Sequence, residues 1–397
     1  MNYHIITQDK FFDSYIEDIY NLHEEANNIF WVRGEKGESS LLKTKRKVEY
    51  LGKEIPEILV KKLQSLKQDD KLFISWYDMY IGKAIIDSNI PNDIYVWVMG
   101  GDFYANPFWY HASWLFDKYT LKFVKNAKAY GYPHVNWKRK PQNWWKVLHE
   151  LRIKWKFKEE QQKLYEIKLR TIQRIDYLLM SEAWLPEYER VKELYPGCSF
   201  KRVDAAFDQN YDMAAHLKIS NKTDDTLKIL IGNSADITNN YIDAYKYVKK
   251  QIRDKYTIYS ILSYGDSFNR DYVLRIGKEM FGNAFCPVTK YIDRQEYIDF
   301  LMSIDVFVMY HNRQQACGNI MTAITLGKPV FMKSISPIYG MLKLIGVSSV
   351  YDVQMLKTVN LRTVVESAQK NRQMNMEKIA SVFSERKRLQ YWQALLR

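Results

Sequence analysis

The sequence predicts an α/β protein built from two doubly wound domains in series. Short apolar strands alternate with amphipathic helices along most of the chain, which is the pattern of βαβ units with parallel strands. The alternation restarts after a polar, apolar-poor stretch, Lys218–Thr226, which we interpret as the interdomain linker. A length of 397 residues suits two domains, and a hydrophobic content of 47% allows each domain a buried core.

The first domain is predicted over residues 1–217, with seven strands. These strands are Tyr3–Thr7, Ile29–Arg33, Val48–Leu51, Leu72–Tyr77, Ile94–Met99, Tyr177–Met180 and Ser199–Val203. The predicted helices are Lys10–Leu22, Ile55–Leu66, Ile81–Asp87, Lys158–Arg174 and Pro186–Leu194.

The second domain is predicted over residues 227–375, followed by a terminal helical segment at residues 376–397. Its strands are Leu227–Ile231, Thr257–Leu262, Phe285–Thr289, Val306–Tyr310 and Pro329–Met332. The predicted helices are Asn240–Lys250, Asp271–Phe281, Gln295–Ser303, Gly318–Leu326, Arg362–Arg372 and Met376–Leu396.

Most of the net charge of +13 comes from one segment at residues 122–158, which we place in the first domain. It holds eleven Lys or Arg side chains and one acid, Glu150, interleaved with Trp and Tyr. This composition fits an anionic membrane surface, single-stranded nucleic acid, or a solvated basic face whose Trp side chains lie in the core. We favour the membrane over nucleic acid. The candidate residues for contact with a membrane or an acceptor are Lys138, Arg139, Lys140, Trp144 and Trp145.

The cysteines and the N-terminal sequence indicate a reducing compartment. Cys198, Cys286 and Cys317 are far apart and show no metal-ligand spacing, so free thiols are expected. The first twenty residues lack the charged and apolar regions of a signal peptide. No run approaches the ~18 apolar residues that span a bilayer. We therefore expect a cytoplasmic protein whose membrane contact is peripheral, on the inner face of the cell membrane.

Two loops of the second domain are candidates for binding phosphate. In doubly wound sheets, ligands bind beyond the carboxyl ends of the strands. Gly232, Asn233 and Ser234 follow a strand there, and small residues let backbone N–H groups approach an oxyanion. The loop Asn312–Asn319 opens a helix, whose N-terminus attracts anions. It also contains Arg313, a fork of donors for phosphate, together with Gln314, Gln315, Gly318 and Asn319. Either loop is also compatible with ordinary capping of a helix.

Two further strand ends are weaker candidates. Asp102 follows Gly100 and Gly101 at the end of a first-domain strand, where it can face a cleft and take a proton from an attacking hydroxyl. A helix cap is the structural alternative for this carboxylate. Tyr264 and Gly265 can line a nucleotide site, or the glycine can simply serve a turn. No Ser/His/Asp or Cys/His arrangement, Walker A loop, GxGxxG motif or metal-ligand pattern is identifiable.

Four segments at these strand ends resemble one known family. They are IGNSADITNNYIDA (Ile231–Ala244), YGDSFNRDYV (Tyr264–Val273), NRQQACGNIMTAITLGKPVF (Asn312–Phe331) and VWVMGGDFY (Val96–Tyr104). The resemblance is to the TDP-N-acetylfucosamine:lipid II N-acetylfucosaminyltransferases of glycosyltransferase family 56. These enzymes add 4-acetamido-4,6-dideoxygalactose to a polyprenyl-linked saccharide of a bacterial surface polysaccharide. The resemblance extends from about Leu72 to Met332.

The resemblance implies a GT-B fold, in which two Rossmann-like domains face each other across a cleft. It further implies a nucleotide-sugar donor in the C-terminal domain, a polyprenyl-diphosphate-linked saccharide as acceptor in the N-terminal domain, and a terminal helix that crosses back. No essential metal and no cofactor are expected. Arg313 would then stabilise the leaving diphosphate and Asp102 would act as the base. Two other functions stay open at this point: a catalytically inactive GT-B scaffold at the membrane, and a single-stranded nucleic-acid-binding protein.

Overall fold

The computed structural model describes residues 1–9, 11–22, 27–52, 55–105, 107–206 and 225–396. Most of the predicted linker, residues 218–224, therefore lies outside the described residues. The chain forms two compact units. The first comprises Met1–Phe108, Lys163–Gln209 and Val382–Arg397, and the second comprises Trp109–Gln162 and Asn210–Ser381.

The first unit is built on a parallel sheet of seven strands in the order β3-β2-β1-β4-β5-β6-β7. Its strands are β1 (Asn2–Ile6), β2 (Asn28–Val32), β3 (Glu49–Tyr50), β4 (Lys71–Ser75), β5 (Ile94–Trp97), β6 (Tyr177–Leu179) and β7 (Lys201–Val203). Ile5, Ile74 and Val96 on its central strands are fully buried. Continuous apolar runs are expected here because helices cover both faces of a parallel sheet.

The helices of the first unit are α1 (Phe11–Leu22), α2 (Ile55–Gln64), α3 (Met79–Ser88), α4 (Gly101–Tyr104), α8 (Leu185–Leu194) and α16 (Glu385–Leu395). The last of these, α16, packs within the first unit. Its Trp392 is fully buried beside Tyr15 of α1, and its Arg388 pairs with Asp18 at 2.7 Å. Two helices have residues in both units, namely α7 (Trp144–Gln173) and α15 (Arg372–Phe383).

The second unit contains a parallel sheet of six strands in the order β10-β9-β8-β11-β12-β13. These strands are β8 (Leu227–Ile231), β9 (Tyr256–Ile261), β10 (Phe285–Val288), β11 (Val306–Met309), β12 (Val330–Met332) and β13 (Val350–Asp352). The helices are α5 (Ala112–Leu115), α6 (Lys118–Asn126), α9 (Tyr241–Gln251), α10 (Ser267–Phe281), α11 (Arg294–Ser303), α12 (Cys317–Thr325), α13 (Pro337–Leu344) and α14 (Leu361–Lys370).

The predicted domain boundaries differ from the observed units at the basic segment. Residues 109–162 belong to the second unit, whereas the sequence analysis placed residues 122–158 in the first domain. The reason is a set of contacts to α9 and α10. Asp243 of α9 accepts hydrogen bonds from two backbone amides in the first turn of α6, those of Tyr119 and Thr120, at 3.0 and 2.8 Å. The ring of Phe123 stacks on Tyr272 of α10 with centroids 3.7 Å apart.

Two other predictions of helix boundaries differ most from the structure. The helix predicted at Lys158–Arg174 begins much earlier, at Trp144, so α7 includes a large part of the basic segment. The terminal helix predicted at Met376–Leu396 is two helices, because α15 ends at Phe383 and Ser384 is the N-cap of α16. The predicted fold class is confirmed, since both units contain a parallel, Rossmann-like sheet.

Candidate functional site

The candidate site lies at the carboxyl edge of the second unit's sheet. The chain moves outward from β8 in one direction through β9 and β10, and in the other direction through β11, β12 and β13. The strand order therefore reverses between β8 and β11, and such a switch point leaves a crevice beyond the strand ends. Gly232–Asp236 follow β8 and Tyr310–Ala316 follow β11. The two predicted phosphate loops thus flank one switch point.

Close packing explains why Gly232, after β8, and Gly265, after β9, are glycines. Gly232 has a φ of +71°, and a Cβ at this position would lie 2.5 Å from the hydroxyl oxygen of Tyr241. Gly265 has a φ of +107°, and its Cβ would lie 2.9 Å from the backbone nitrogen of Asp236. Both the positive φ and the close approach require glycine. Gly265 therefore brings the loops after β8 and β9 into contact, and Gly232 leaves room for the Tyr241 hydroxyl of α9.

A hydrogen-bonded network joins four of the predicted site residues through Thr238. Arg313 Nε donates to Thr238 Oγ1 at 3.1 Å, and this hydroxyl lies 2.7 Å from Gln315 Oε1. Gln315 Nε2 donates to Asn233 Oδ1 at 3.0 Å, and Asn233 Nδ2 donates to the Tyr264 hydroxyl at 3.3 Å. The network spans the loops after β8, β9 and β11. It fixes the side chains of one strand end relative to the others.

Arg313 is held at this edge with donors to spare. Its Nη1 donates to the Gln314 carbonyl at 3.0 Å, and its Nη2 lies 3.5 Å from Asp236 Oδ2. A guanidinium has five N–H donors in a planar fork. Two of them are engaged by the hydrogen bonds to Thr238 and Gln314, and the side chain is 14% exposed. The fork can therefore present its remaining N–H groups to an anion in the crevice.

The N-terminus of α12 lies on the same loop. Its N-cap, Ala316, has a left-handed φ of +61°, and no side chain caps the helix there. Gly318 in the first turn is exposed, with open space where a Cβ would project. An uncapped N-terminus carries a partial positive charge and backbone N–H groups. Asn319 in the same turn has its side chain near the Tyr297 hydroxyl, where it opposes the rise that burial causes in the tyrosine pKa.

His311 is a fixed, neutral anchor of the loop. Burial lowers the pKa of its imidazole to about 3, so the ring carries no charge at neutral pH. Its Nδ1 lies 2.9 Å from the Arg313 carbonyl. A carbonyl oxygen only accepts, so Nδ1 carries the proton and donates it. This bond holds the backbone of Arg313 and excludes His311 as a charged partner for phosphate.

The predicted base, Asp102, is not exposed at a ligand-facing surface. The residue is 3% exposed and lies in the first turn of α4. Its oxygens accept backbone N–H groups from Tyr77 at 3.3 Å, Met99 at 3.1 Å and Phe103 at 3.1 Å. Burial raises the pKa of Asp102 to about 6, and the Lys168 ammonium opposes that rise. These contacts favour the structural alternative, in which the carboxylate organises the turn after β4.

The Trp side chains of the basic segment lie on the surface rather than in the core. Trp137 is 69% exposed, Trp144 is 61% exposed and Trp145 is 62% exposed. Lys138 and Lys140 are also exposed. Arg139 differs from these lysines, because it forms a salt bridge with Glu150. The third interpretation of this segment, a basic face with its Trp side chains in the core, is therefore wrong.

The structure thus brings together Asn233, Tyr264, Arg313 and Gln315, with Gln314 alongside. Ser234 is buried, and its hydroxyl accepts the Asp236 amide at 3.3 Å. Thr238 was missed as a site residue, although its hydroxyl connects the loop after β8 to Arg313 and Gln315 of the loop after β11. Asp236 Oδ1 accepts its backbone N–H at 2.8 Å, and this Asx turn is the local sequence signal that marks the position.

The described ranges of the chain lack two further kinds of feature. In those ranges, no group of three or more His, Cys, Asp or Glu side chains is placed to hold a metal ion. Across the same part of the chain, no helix has the length and apolar character needed to cross a membrane.

Comparison with known proteins agrees with this architecture. Residues 203–397 match the sequence model of the family described as 4-alpha-L-fucosyltransferase, glycosyl transferase group 56. The matched range contains three of the four segments named above, and Val96–Tyr104 lies outside it. The fold is that of GT-B glycosyltransferases. The family match supports an activity in sugar transfer.

Three solved structures illustrate the likeness. A sucrose-phosphate synthase from Thermosynechococcus elongatus aligns with a TM-score of 0.57 and 11% identity, over 100% of this chain and 98% of its own. An α,α-trehalose 6-phosphate synthase from Burkholderia multivorans gives 0.54 and 9%, over 99% and 95%. An E. coli trehalose-6-phosphate protein bound with UDP-2-fluoro glucose gives 0.52 and 9%, over 99% and 97%.

Proposed function

We propose that this protein is a glycosyltransferase of bacterial surface polysaccharide synthesis. It would move a deoxyamino sugar of the 4-acetamido-4,6-dideoxygalactose type from a nucleotide diphosphate, TDP in the first instance, to a polyprenyl-diphosphate-linked saccharide. One observation carries the proposal: the Arg313 fork and the uncapped N-terminus of α12 converge at the switch point of the second sheet. A fold neighbour bound with UDP-2-fluoro glucose supports a nucleotide-sugar donor.

In the proposed reaction, a hydroxyl oxygen of the acceptor forms a bond to the anomeric carbon of the donor sugar. The bond between that carbon and the diphosphate oxygen breaks, and the diphosphate leaves with an additional negative charge. The hydroxyl proton passes to a base. Arg313 and the N–H groups of α12 stabilise the leaving diphosphate, because preorganised donors act most strongly where charge develops. On this proposal the reaction requires no metal ion and no cofactor.

The network suggests a division of roles among the donor-site residues. Gln315 is 8% exposed and fully engaged with Thr238 and Asn233, so we assign it to holding Arg313 in place. Gln314 is half-buried beside Arg313 and is better placed to meet sugar hydroxyls. Gly232, Asn233 and Ser234 would form the opposite wall of the phosphate site. Tyr264 and Gly265 would line its nucleotide side.

The exposed face of α7 supports an anionic membrane as the place of the reaction. Trp144, Leu148 and Trp155 are 61%, 67% and 64% exposed. At 100° per residue they lie within about 40° of one another on the helix surface. Arg152 and Lys156 are exposed on the adjoining face. Apolar side chains edged by cations suit the interface of an anionic bilayer. A lipid-linked acceptor would be found there, on the inner face of the membrane.

The test is a thermal-shift screen of the metal-free protein against TDP, UDP, GDP and ADP. A ligand present at ~100 times its Kd adds about 2.7 kcal/mol to the free energy of unfolding, which raises the melting temperature measurably. We expect one nucleotide to be selected. We also expect Arg313→Ala to lose that response and to slow transfer by about 10²–10³. The matched control is Arg275→Ala, which removes an exposed arginine of the same unit.

The outcomes separate the alternatives. A wild-type protein that binds no nucleotide contradicts the proposal and favours a scaffold without turnover. Salt-sensitive binding of single-stranded nucleic acid, in the absence of any nucleotide response, would favour the nucleic-acid function instead. An Arg313→Ala variant that transfers sugar at the wild-type rate would remove Arg313 from the mechanism.

A further inference from the structure

Trp76 lies at the end of a strand in the first unit and is not part of the proposed donor site. It follows β4 in the first unit, where the strand order reverses between β1 and β4. This is the position at which a doubly wound sheet leaves a crevice for a ligand. The side chain is 41% exposed, although large aromatic side chains gain most from burial.

The backbone of Trp76 adopts a costly conformation. Its φ is +60°, which is an outlier for a bulky residue because the side chain crowds its own backbone in the left-handed region. The indole lies over Gly101, where an added Cβ would approach its Cη2 to 3.1 Å. The absence of a side chain at Gly101 therefore leaves room for the indole, and part of the ring remains exposed to solvent. Strain of this kind persists only where the surroundings enforce it.

Two buried ionisable side chains enforce this turn through the next residue, Tyr77. Asp102 Oδ2 accepts the Tyr77 backbone N–H at 3.3 Å, and Lys168 Nζ donates to the Tyr77 carbonyl at 2.8 Å. The Tyr77 hydroxyl donates to the Thr171 carbonyl at 2.8 Å. All three hydrogen-bonding groups of Tyr77 are thus engaged. The position of Trp76 follows directly from this arrangement.

A charged pair lies beside the backbone of Trp76. Arg33, at the end of β2, donates from Nη1 to the Trp76 carbonyl at 3.4 Å and from Nη2 to Asp78 at 2.5 Å. The side chains of Arg33 and Asp78 are 15% and 22% exposed. Donors and an acceptor therefore lie next to the residue that presents the exposed indole. A pyranose presents the matching chemistry, since it has apolar C–H groups on one face and hydroxyls around its edge.

We infer that the Trp76 indole is the stacking platform for a pyranose ring of the acceptor saccharide, with the Arg33–Asp78 pair contacting its hydroxyls. This inference rests on the proposed function, because it names the part of the first unit that receives the acceptor. It also gives Asp102 and Lys168 a role as positioning residues, which hold the turn that presents the indole.

The probe is a panel of octyl glycosides of neutral, N-acetylated and acidic hexoses, with binding measured by saturation-transfer NMR and titration. We expect wild-type protein to bind at least one glycoside through its C–H protons. Trp76→Gly should weaken that binding at least tenfold, while Trp76→Phe retains part of it. Ile86→Ser, which removes a comparably exposed apolar side chain from α3, should bind as wild type does.

Folding is checked on the same samples. Because glycine accepts the left-handed backbone, Trp76→Gly should not lower the melting temperature by more than Ile86→Ser does. Wild-type glycoside affinity in Trp76→Gly would overturn the inference, and so would a wild-type protein that binds no member of the panel. The result of the nucleotide screen is interpreted separately from glycoside binding. A normal nucleotide response with unchanged glycoside binding in Trp76→Gly overturns this inference alone, whereas a missing nucleotide response overturns the proposed function.

Discussion

At the scale of single residues, the buried polar side chains of this protein mostly hold backbone and one another. Asp102 accepts three backbone amides, and His311 donates to the Arg313 carbonyl. Gln315 bridges Thr238 and Asn233. Such groups are costly to leave without partners once they are buried. Single substitutions in these sets should therefore change stability and ligand binding together.

Thr238→Val tests the network around Arg313. The substitution keeps the shape of the side chain but removes the hydroxyl that contacts Arg313 Nε and Gln315 Oε1. The buried side-chain amide of Gln315 then loses its hydrogen-bond partner, which should lower the free energy of unfolding by about 1–3 kcal/mol. Nucleotide affinity should also fall, because Arg313 is no longer positioned. Urea denaturation and nucleotide titration measure the two effects. Thr358→Val, whose exposed hydroxyl bonds only to the Met355 carbonyl at 3.3 Å, is the control.

Equal stability of Thr238→Val and Thr358→Val would contradict the structural part of this prediction. A stable Thr238→Val protein with normal nucleotide affinity would show that Arg313 is positioned independently of Thr238.

The Asp102 carboxyl should make stability depend on pH. Burial raises its pKa from 3.8 to about 6 in the folded protein. Because the folded pKa lies above the unfolded one, this group stabilises the fold below about pH 4, and that contribution is lost as the pH rises through about 6. The stability difference between wild type and Asp102→Asn should therefore decrease across this window by on the order of 1–3 kcal/mol. Urea denaturation at intervals of pH measures it.

Turnover of the same variant distinguishes the two roles of Asp102. A positioning residue predicts that Asp102→Asn melts at a lower temperature and that acceptor affinity falls with it. An Asp102→Asn protein that melts at the wild-type temperature, binds nucleotide and glycoside normally, and yet does not turn over would identify the residue as the base.

At the scale of elements, two helices have features that their sequences alone do not establish. These features are the exposed aromatic face of α7 and the uncapped N-terminus of α12. The exposed face of α7 carries Trp144, Leu148 and Trp155, so this part of the helix presents apolar side chains to solvent rather than to a core. The N-terminus of α12 has an alanine where a capping side chain is usual. Each element therefore has one unusual feature. On α7, the Trp side chains are exposed. On α12, no side chain caps the N-terminus.

The double substitution Trp144→Ser and Trp155→Ser tests the α7 surface. Both side chains are more than half exposed, so we expect an unchanged melting temperature and at least tenfold weaker binding to vesicles that contain anionic lipid. Co-sedimentation with such vesicles measures the binding. Tyr291→Ser, which removes an aromatic side chain that is 86% exposed elsewhere in the second unit, is the control.

Vesicle binding should also weaken as salt concentration rises, because the cations beside the Trp side chains contribute about 1 kcal/mol each near an anionic surface. Wild-type affinity in the double variant, or equal loss in Tyr291→Ser, would rule out this face as the membrane contact.

At the scale of the whole molecule, the chain enters the second unit twice. Residues 109–162 join it before the first unit is complete, and the chain returns to the first unit at Lys163. The attachment depends on polar contacts between residues more than a hundred positions apart. Asn240 accepts the Asp117 amide at 2.9 Å, and Asp243 accepts two amides and the hydroxyl of Thr120.

Asp243→Asn tests this organisation. The asparagine has one acceptor oxygen in place of two, so the first turn of α6 loses part of its cap and a favourable charge at its N-terminus. We expect faster amide hydrogen exchange in residues 117–126, and a loss of about 1 kcal/mol in the free energy of opening that segment. Exchange measured by mass spectrometry provides the test. Asp271→Asn, at an exposed position on α10, is the control.

If residues 117–126 exchange at the wild-type rate in Asp243→Asn, the segment does not depend on α9 for its structure. If the wild-type segment exchanges together with β1–β7 rather than with β8–β13, the division of the chain into these two units is wrong.

The spacing of apolar residues and the positions of the strand ends predicted the fold class and part of the candidate site from sequence alone. The alternation of apolar runs and amphipathic helices predicted two parallel sheets. Parallel strands bring their carboxyl ends to one edge, so the candidate phosphate loops at Gly232 and Arg313 were predicted at the same edge of the second sheet. The same reasoning does not decide the role of Asp102, because a strand end locates a side chain without showing whether its oxygens meet solvent or backbone.

The tertiary structure decided the features that depend on distant partners. Residues 109–162 join the second unit through side chains of α9 and α10, and no local pattern in the segment names those partners. The Trp side chains of α7 are exposed because nothing in the second unit covers that face among the described residues. The left-handed turn at Trp76 exists because Asp102 and Lys168 hold Tyr77 from elsewhere in the chain. Local sequence carries periodicity, whereas burial and hydrogen-bond satisfaction depend on which residues the fold brings together.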